Sequence, residues 1–330
     1  MKVLRAFISV LLLCAVLFTI FYGKYKVGES VTSQNPDGYK GIITLWQIDS
    51  FEGGVGSRKQ FLLKAARAFE KQNSGVLVMV ISHTPTSVEE NIKNGIYPDI
   101  ISYGAGVDVK GYSELKVSRT VNGGIVGEKT FATAWCRGGY AIIANPELTD
   151  NVSNELDSLI VSQGELNCPL VALLLEDVKV KNIEILKPMD AYIKFTQGKS
   201  KYFLGTQRDI NRLSSRGFEV IVKPLTAYND LYQYLSVTSK DENKCHYSEK
   251  FIDYLLSDKV QKDLSKIGML SPFIDVVNEN PHLNSMQENF SFSTISAFTS
   301  RLTIEEINYL SLKAVSGDKD ALNKIKKMLV

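Results

Sequence analysis

The sequence predicts an α/β protein built as two lobes. Three observations carry this. Residues 41–103 alternate strand-like and helix-like segments in the order β-α-β-α-β, which makes an open, mostly parallel sheet flanked by helices. The chain has 330 residues, more than one small core usually serves. From Ser248 onward the pattern turns helical, with apolar residues at Phe251, Ile252, Leu255, Leu256 and Val260.

The first strand is Ile42-Ile43-Thr44-Leu45-Trp46, β-branched and aromatic. Asp49-Ser50 break it. A glycine turn, Gly53-Gly54-Val55-Gly56, then leads to Ser57-Arg58-Lys59, and a helical pattern runs from Phe61 to a stop at Asn73-Ser74-Gly75. Strand, glycine turn and helix start leave free backbone N–H groups able to hold a polar ligand oxygen; a tight connection with no ligand is equally open. Residues 76–82, VLVMVIS, form a near-continuous apolar run, which reads as a strand buried on both faces. Thr86 or Ser87 is expected to cap a helix with Glu89-Glu90 in its first turn. Asn94-Gly95 close that helix, and 98–103 is a third strand. In such sheets ligands lie beyond the carboxyl ends of the strands, so loops 47–58, 83–86 and 103–106 are the expected crevice.

Further on, a strand over 140–144 stops at Asn145-Pro146. A helix is expected over 155–163, then an apolar run at 170–175 and a helix over 191–197. A strand at 201–205 ends in Thr206-Gln207-Arg208-Asp209, followed by a short helix at 210–214. Strands at 219–223 and 231–238 come next, and helices at 304–315 and 321–329 finish the chain.

Composition is that of a globular protein, 44% hydrophobic and 22% charged, with a net charge of +2 from 38 basic and 36 acidic residues. That balance gives no reason to expect nucleic acid as a partner. The glycine turn lacks the Gly-Lys-[Ser/Thr] end of a P-loop and the third glycine of a dinucleotide fingerprint. His83, His246 and His282 are not near a nucleophile motif, and no residues stand at metal-ligand spacing, so no catalysis, metal or cofactor is expected. Cys14, Cys136, Cys168 and Cys245 are far apart; the last three, an odd number, read as buried thiols rather than a disulfide framework, with one bridge left open. Lys2 and Arg5 precede an uncharged run over 6–22, with Lys24 and Lys26 after it and no A-x-A-like cleavage site. An uncleaved membrane anchor with an exported body is the expectation, a cleaved signal the alternative. Residues 28–40, polar with Pro and Gly, read as a linker.

Several stretches resemble one family. GIITLWQIDSFEGGVGSRKQFLLKAARAFEKQNSGVLVMVIS and NIKNGIYPDIISYG look like the opening lobe of extracellular solute-binding proteins of ABC importers, nearest the sugar-binding-like group (family 1). The carrying residues are Phe69-Glu70-Lys71-Gln72-Asn73, the Gly75–Val78 strand start and Gly95 to Ile100. WCRGGYAIIANPEL resembles the passage between lobes, and FIDYLLSDKVQKDLSKIGMLSP the helix pair after the chain returns. The likeness runs from Gly41 to the C-terminus; no lipobox of the kind family members commonly carry is present. It implies a two-lobed periplasmic-binding-protein-like fold (type II) with an N-terminal membrane segment. The implied divisions are 1–27 anchor or signal, 28–40 linker, 41–135 with part of 232–330 as lobe one, 136–231 as lobe two, and helices of 248–330 packing across both. Crossing strands would be 140–144 and 231–238. The implied activity is capture of a small polar solute, a carbohydrate above all, by a monomer that delivers it to ABC permease subunits; a membrane-anchored sensor ectodomain is the other reading.

Sugars are held by aromatic faces and multidentate hydrogen-bond groups. The candidates are Trp46 beside the glycine turn, Ser57 and Arg58 at the helix start, and Tyr103 at the end of the third strand. Trp135 and Arg137 stand where the chain enters lobe two, and Thr206, Gln207 and Arg208 at the end of a lobe-two strand. Each has a structural reading beside it: core packing for the aromatics, an interlobe bridge for Arg137, helix capping by Thr206 or Asp209.

Overall fold

A computed structural model of the chain describes residues 38–51, 56–121, 123–273, 275–278, 280–288 and 296–329. The apolar run 6–22, Cys14, most of the linker and Gly53-Gly54-Val55 lie outside them. Among the described residues no helix is long and apolar enough to cross a membrane.

The opening alternation is present. β1 (Gly41–Ile48), α1 (Arg58–Glu70), β2 (Val76–His83), α2 (Pro85–Lys93) and β3 (Ile100–Tyr103) follow in order, with β1 parallel to both β2 and β3. α1 forms because Phe61, Leu62, Ala65, Ala66 and Phe69 fall on one stripe, and that stripe is buried. Leu62 is fully buried, so its side chain contributes about 1.5–3 kcal/mol and a charge there would undock the helix. Two details differ from expectation. Among the described residues β2 is an edge strand, and its faces alternate, with Leu77 54% and Met79 46% exposed, because none of those residues covers its outer face. α2 is capped by Thr84, whose side chain accepts from Ser87 N at 3.2 Å, rather than by Thr86 or Ser87. Pro85 sets that start, since proline fits the first helical position and has no N–H to satisfy.

A short hairpin, β4 (Ile125–Val126) and β5 (Lys129–Thr130), precedes β6 (Thr133–Arg137). The chain then builds a second sheet from β7 (Tyr140–Ala144), β8 (Glu155–Ser162), α3 (Pro169–Leu175), β9 (Lys179–Leu186), α4 (Pro188–Thr196), β10 (Tyr202–Thr206), α5 (Gln207–Ser215) and β11 (Ile221–Leu225). β8 replaces the helix expected over 155–163. It lies between β10 and β9, and its apolar end is buried between neighbours; in so short a run, apolar clustering fits either period and pairing decides. β9 carries almost no apolar alternation, being an exposed edge strand with Lys179, Lys181 and Glu184.

The chain returns through β12 (Tyr232–Val237), which pairs antiparallel between β3 and β6. The sheets are therefore β2-β1-β3-β12-β6 and β11-β7-β10-β8-β9. The strands expected to cross between lobes each belong to one sheet; the passages themselves are at Gly138-Gly139 and around residues 229–231. α6 (Glu242–Leu256), α7 (Asp258–Lys262) and a 3₁₀ turn (Asp263–Ile267) end at Gly268, whose φ of 63° only glycine adopts freely. α6 and α7 bury Phe251, Ile252, Leu255 and Val260 in the first core. α8 (Pro281–Glu288), α9 (Arg301–Val315) and α10 (Lys319–Met328) pack with the second sheet, through Leu283 and Met286 and through Ile304, Ile307 and Ile325. Cys136, Cys168 and Cys245 are free thiols, the first two buried.

Candidate functional site

Parallel strands end together, so their carboxyl ends leave a crevice that loops must line. Here a cleft of about 630 Å³ lies where the carboxyl ends of β1, β8, β9 and β10 meet. One wall is Asp49-Ser50-Phe51 after β1, with Pro85 of α2. The other is residues 162–167 after β8, residues 185–188 after β9, and Thr206 and Asp209 after β10. Two of the three loops expected from the sequence supply that first wall. The third, 103–106, packs instead against the second lobe: a Cβ on Gly106 would stand 2.9 Å from Leu166 Cδ2.

Of the nine candidate residues, only Thr206 lines the cleft. It is the N-cap of α5 in a capping box: Asp209 Oδ2 accepts from Thr206 N at 2.9 Å, and burial pushes the Asp209 carboxyl above its ordinary range.

Arg58 and Trp135 stand behind the first wall, in one buried network. Trp135 is fully buried, stacked on Phe61 with centroids 5.7 Å apart, and its Nε1–H donates to Ser102 Oγ at 2.9 Å. Gln233 Nε2 donates to the same hydroxyl at 3.1 Å and to the Ile48 carbonyl at 2.7 Å. Arg58, 3% exposed, donates Nη1 to Gln233 Oε1 at 3.0 Å, pairs through Nε with Asp49 Oδ1 at 2.8 Å, bonds the Phe51 carbonyl and lies 4.4 Å over the Phe51 ring. These groups fix the loop whose outer side faces the cleft. Trp46 (5% exposed) lies against His83 in the same core. Tyr103 is fully buried, its hydroxyl 3.0 Å from Ser236 Oγ. Ser57 is exposed as the N-cap of α1, without a side-chain cap bond.

Arg137 and Gln207 meet at the passage between lobes. The Arg137 guanidinium is 1% exposed and donates to four backbone carbonyls: Ser271 and Gly138 at 3.0 and 3.2 Å, Met286 and Gln287 at 2.9 and 3.3 Å. Its backbone also bridges Leu270 in both directions. Burial lowers its pKa to about 10, leaving it a cation at neutral pH. Gln207 Oε1 accepts from Gly139 N at 3.1 Å, and Gly138 N donates to the Leu231 carbonyl. Arg208 is half-buried on α5, its pKa lowered by burial, and is not part of the cleft lining. Aromatic and cationic side chains thus point to the scaffolding of the site. The lining itself was missed at Ser162, Gln163, Glu165, Asn167 and Lys187. Those positions depend on β8 and β9 being strands.

No protein-family model matches the chain, and no curated protein matches it by sequence. Solved structures do match by shape. The maltose/maltodextrin-binding domain MalE of Bdellovibrio bacteriovorus, bound to maltotriose, aligns over 85% of this chain and 96% of its own, with a TM-score of 0.55 at 13% identity. The GacH receptor of Streptomyces glaucescens, solved unliganded and with acarbose, aligns over 88% and 98%, TM-score 0.58, 15% identity. The extracellular solute-binding protein of Staphylococcus aureus in complex with maltose aligns over 88% and 96%, TM-score 0.59, 15% identity. At this identity the likeness is one of fold: the chain has the two-lobed architecture of these binding proteins, with its cleft between the sheets.

Proposed function

We propose that the protein is an extracytoplasmic solute-binding protein that captures a small polar solute, a carbohydrate in class, between its two lobes and passes it to the permease subunits of an ABC importer. The observation that carries this is the cleft: its two walls come from the strand ends of two separate sheets, joined by narrow passages at Gly138-Gly139 and residues 229–231. A ligand touching both walls favours the closed arrangement by its differential affinity for it. The lobes divide at about residues 135 and 231. Thr206 contacts the solute from the second wall and residues 49–51 from the first, while Arg58, Trp135, Arg137 and Gln207 hold those walls and the hinge. The body is a monomer tethered to the membrane through residues 6–22, and binding changes no bond in the solute.

Small-angle scattering of the purified body, residues 41–330, with and without maltose and other sugars tests this. Compaction on adding one of them is expected, together with a higher Tm because ligand binds only the folded state. Turnover of a bound sugar by pure protein, abolished by one substitution, would overturn the reading. N-terminal sequencing of the mature protein tests the tether; a start beyond residue 23 would remove it.

A further inference from the structure

Carboxylates stand on both walls of the cleft. Asp49 comes from the first lobe, Glu165 and Asp209 from the second, and Lys187 is the one cation among the described lining residues. Asp49 is 56% exposed, and Arg58 Nε and Gln47 Nε2, at 2.8 and 2.9 Å, both bind its Oδ1. Asp209 is 2% exposed, and its Oδ1 has no hydrogen-bond partner while Oδ2 closes the capping box. Gln163 Oε1 is a further buried acceptor of the lining without a partner. At the mouth, Arg301 sits among Glu89, Glu165 and Glu305 at 3.5–3.7 Å, one cation to three carboxylates. Among the described residues Phe51 is the one aromatic ring of the lining, and the Arg58 guanidinium already covers one of its faces. One ring face holds one sugar ring by stacking, not a chain of them.

Resting on the capture reading above, we infer that the solute is a single-ring amino sugar, protonated on nitrogen, whose ammonium sits between Asp49 of one wall and the Glu165–Asp209 side of the other. Arg58 pairs with Asp49 and Arg301 with Glu165, so the walls do not face each other as bare charges; what the open cleft leaves unmet is the buried Asp209 Oδ1, opposite the exposed side of Asp49. An ammonium standing between the walls makes charge-assisted hydrogen bonds to both only when the lobes close, and that differential contact favours closure. Its hydroxyls donate to the acceptor-rich remainder of the lining. A phosphorylated or carboxylated sugar meets the same carboxylates with the wrong sign.

The test is binding to the purified body, followed by thermal shift and calorimetry, of glucosamine, glucose and glucuronate at mildly acidic pH, where the amine is protonated. Glucosamine should raise Tm, glucose should bind roughly tenfold more weakly for want of the charge-assisted bonds, and glucuronate should not bind. Glu165→Gln, at a side chain 87% exposed and so harmless to folding, should weaken glucosamine roughly tenfold and glucose by clearly less, since a neutral hydroxyl loses only a charge-assisted acceptor where the ammonium loses its counter-charge. Lys187→Gln should strengthen glucosamine. Glucose binding as tightly as glucosamine, or glucuronate binding at all, would overturn the inference and leave the capture reading standing. A failure of all three sugars to shift Tm would overturn the amino-sugar assignment, and the capture reading would then be decided by the scattering experiment with other solutes.

Discussion

Trp135→Ala separates a wall residue from a residue that holds the wall. Trp135 is fully buried, stacked on Phe61, and bonded to Ser102. Truncation leaves a cavity, and such changes at buried tryptophan cost about 3–5 kcal/mol. The lost indole bond adds about 1 kcal/mol, and no more, because Ser102 Oγ keeps Gln233 Nε2 as a donor. Trp135→Phe keeps a ring against Phe61 and loses the bond, so roughly 1–2 kcal/mol is expected. The two variants should thus differ by about 3–4 kcal/mol in urea unfolding, a large part of a typical domain's 5–15 kcal/mol. Affinity of the folded protein for whichever sugar raises its Tm should change by less than about twofold in Trp135→Phe, since the residue acts through Ser102, Gln233 and the Ile48 carbonyl. A Trp135→Ala protein that unfolds at wild-type urea concentration and has lost its ligand would refute this, and would put the indole in the cleft.

At the hinge, a Cβ on Gly138 would stand 2.5 Å from Gln207 Oε1 and 3.0 Å from Leu231 Cβ; Gly138→Ala should cost about 1–3 kcal/mol, and its cost combined with Gln207→Ala should fall short of the sum of the two in a double-mutant cycle. Asp230 accepts from Tyr140 Oη, Tyr228 Oη and Cys168 N at 2.7, 3.1 and 2.7 Å, yet burial raises its pKa above the ordinary 3.8. Its folded state therefore binds a proton more readily than the unfolded state, a contribution complete below 3.8 and lost as pH rises through the folded value. Wild-type stability relative to Asp230→Asn should fall over that rise in urea series at several pH values, and a rise would be the wrong sign. Leu77→Lys and Met79→Lys, on the bare face of β2, should each change stability by no more than about 0.5 kcal/mol; a loss of several would mean that face is covered.

Local signals were enough for the opening β-α-β-α-β order of the first lobe. Residues 42–46 and 76–82 are β-branched runs of strand length, 61–69 has a helical stripe, and Gly75 and Gly268 mark ends that need positive φ. The order of those elements implies parallel pairing, and parallel pairing implies a crevice at the strand ends; residues 49–51 and 85 are there. These features are legible because each is fixed by neighbours within a few residues.

What the sequence by itself determined is thus the α/β class, the two-lobed plan and the position of one wall. The tertiary structure alone decided the strands at 155–162 and 179–186, the second wall, and which candidate residues line the cleft. β8 is a strand because β9 and β10 flank it, and β9 because β8 supplies its hydrogen bonds; neither has a pattern of its own that excludes other states. Trp135, Tyr103 and Arg137 look like ligand residues by type, but a large ring or a guanidinium can serve a wall from behind as well as from in front. Which it does depends on Ser102 for Trp135, Ser236 for Tyr103, and Ser271 and Met286 for Arg137, partners 33 to 149 residues away in the chain. Burial and long-range pairing are properties of the assembled sheets, and no local spacing encodes them.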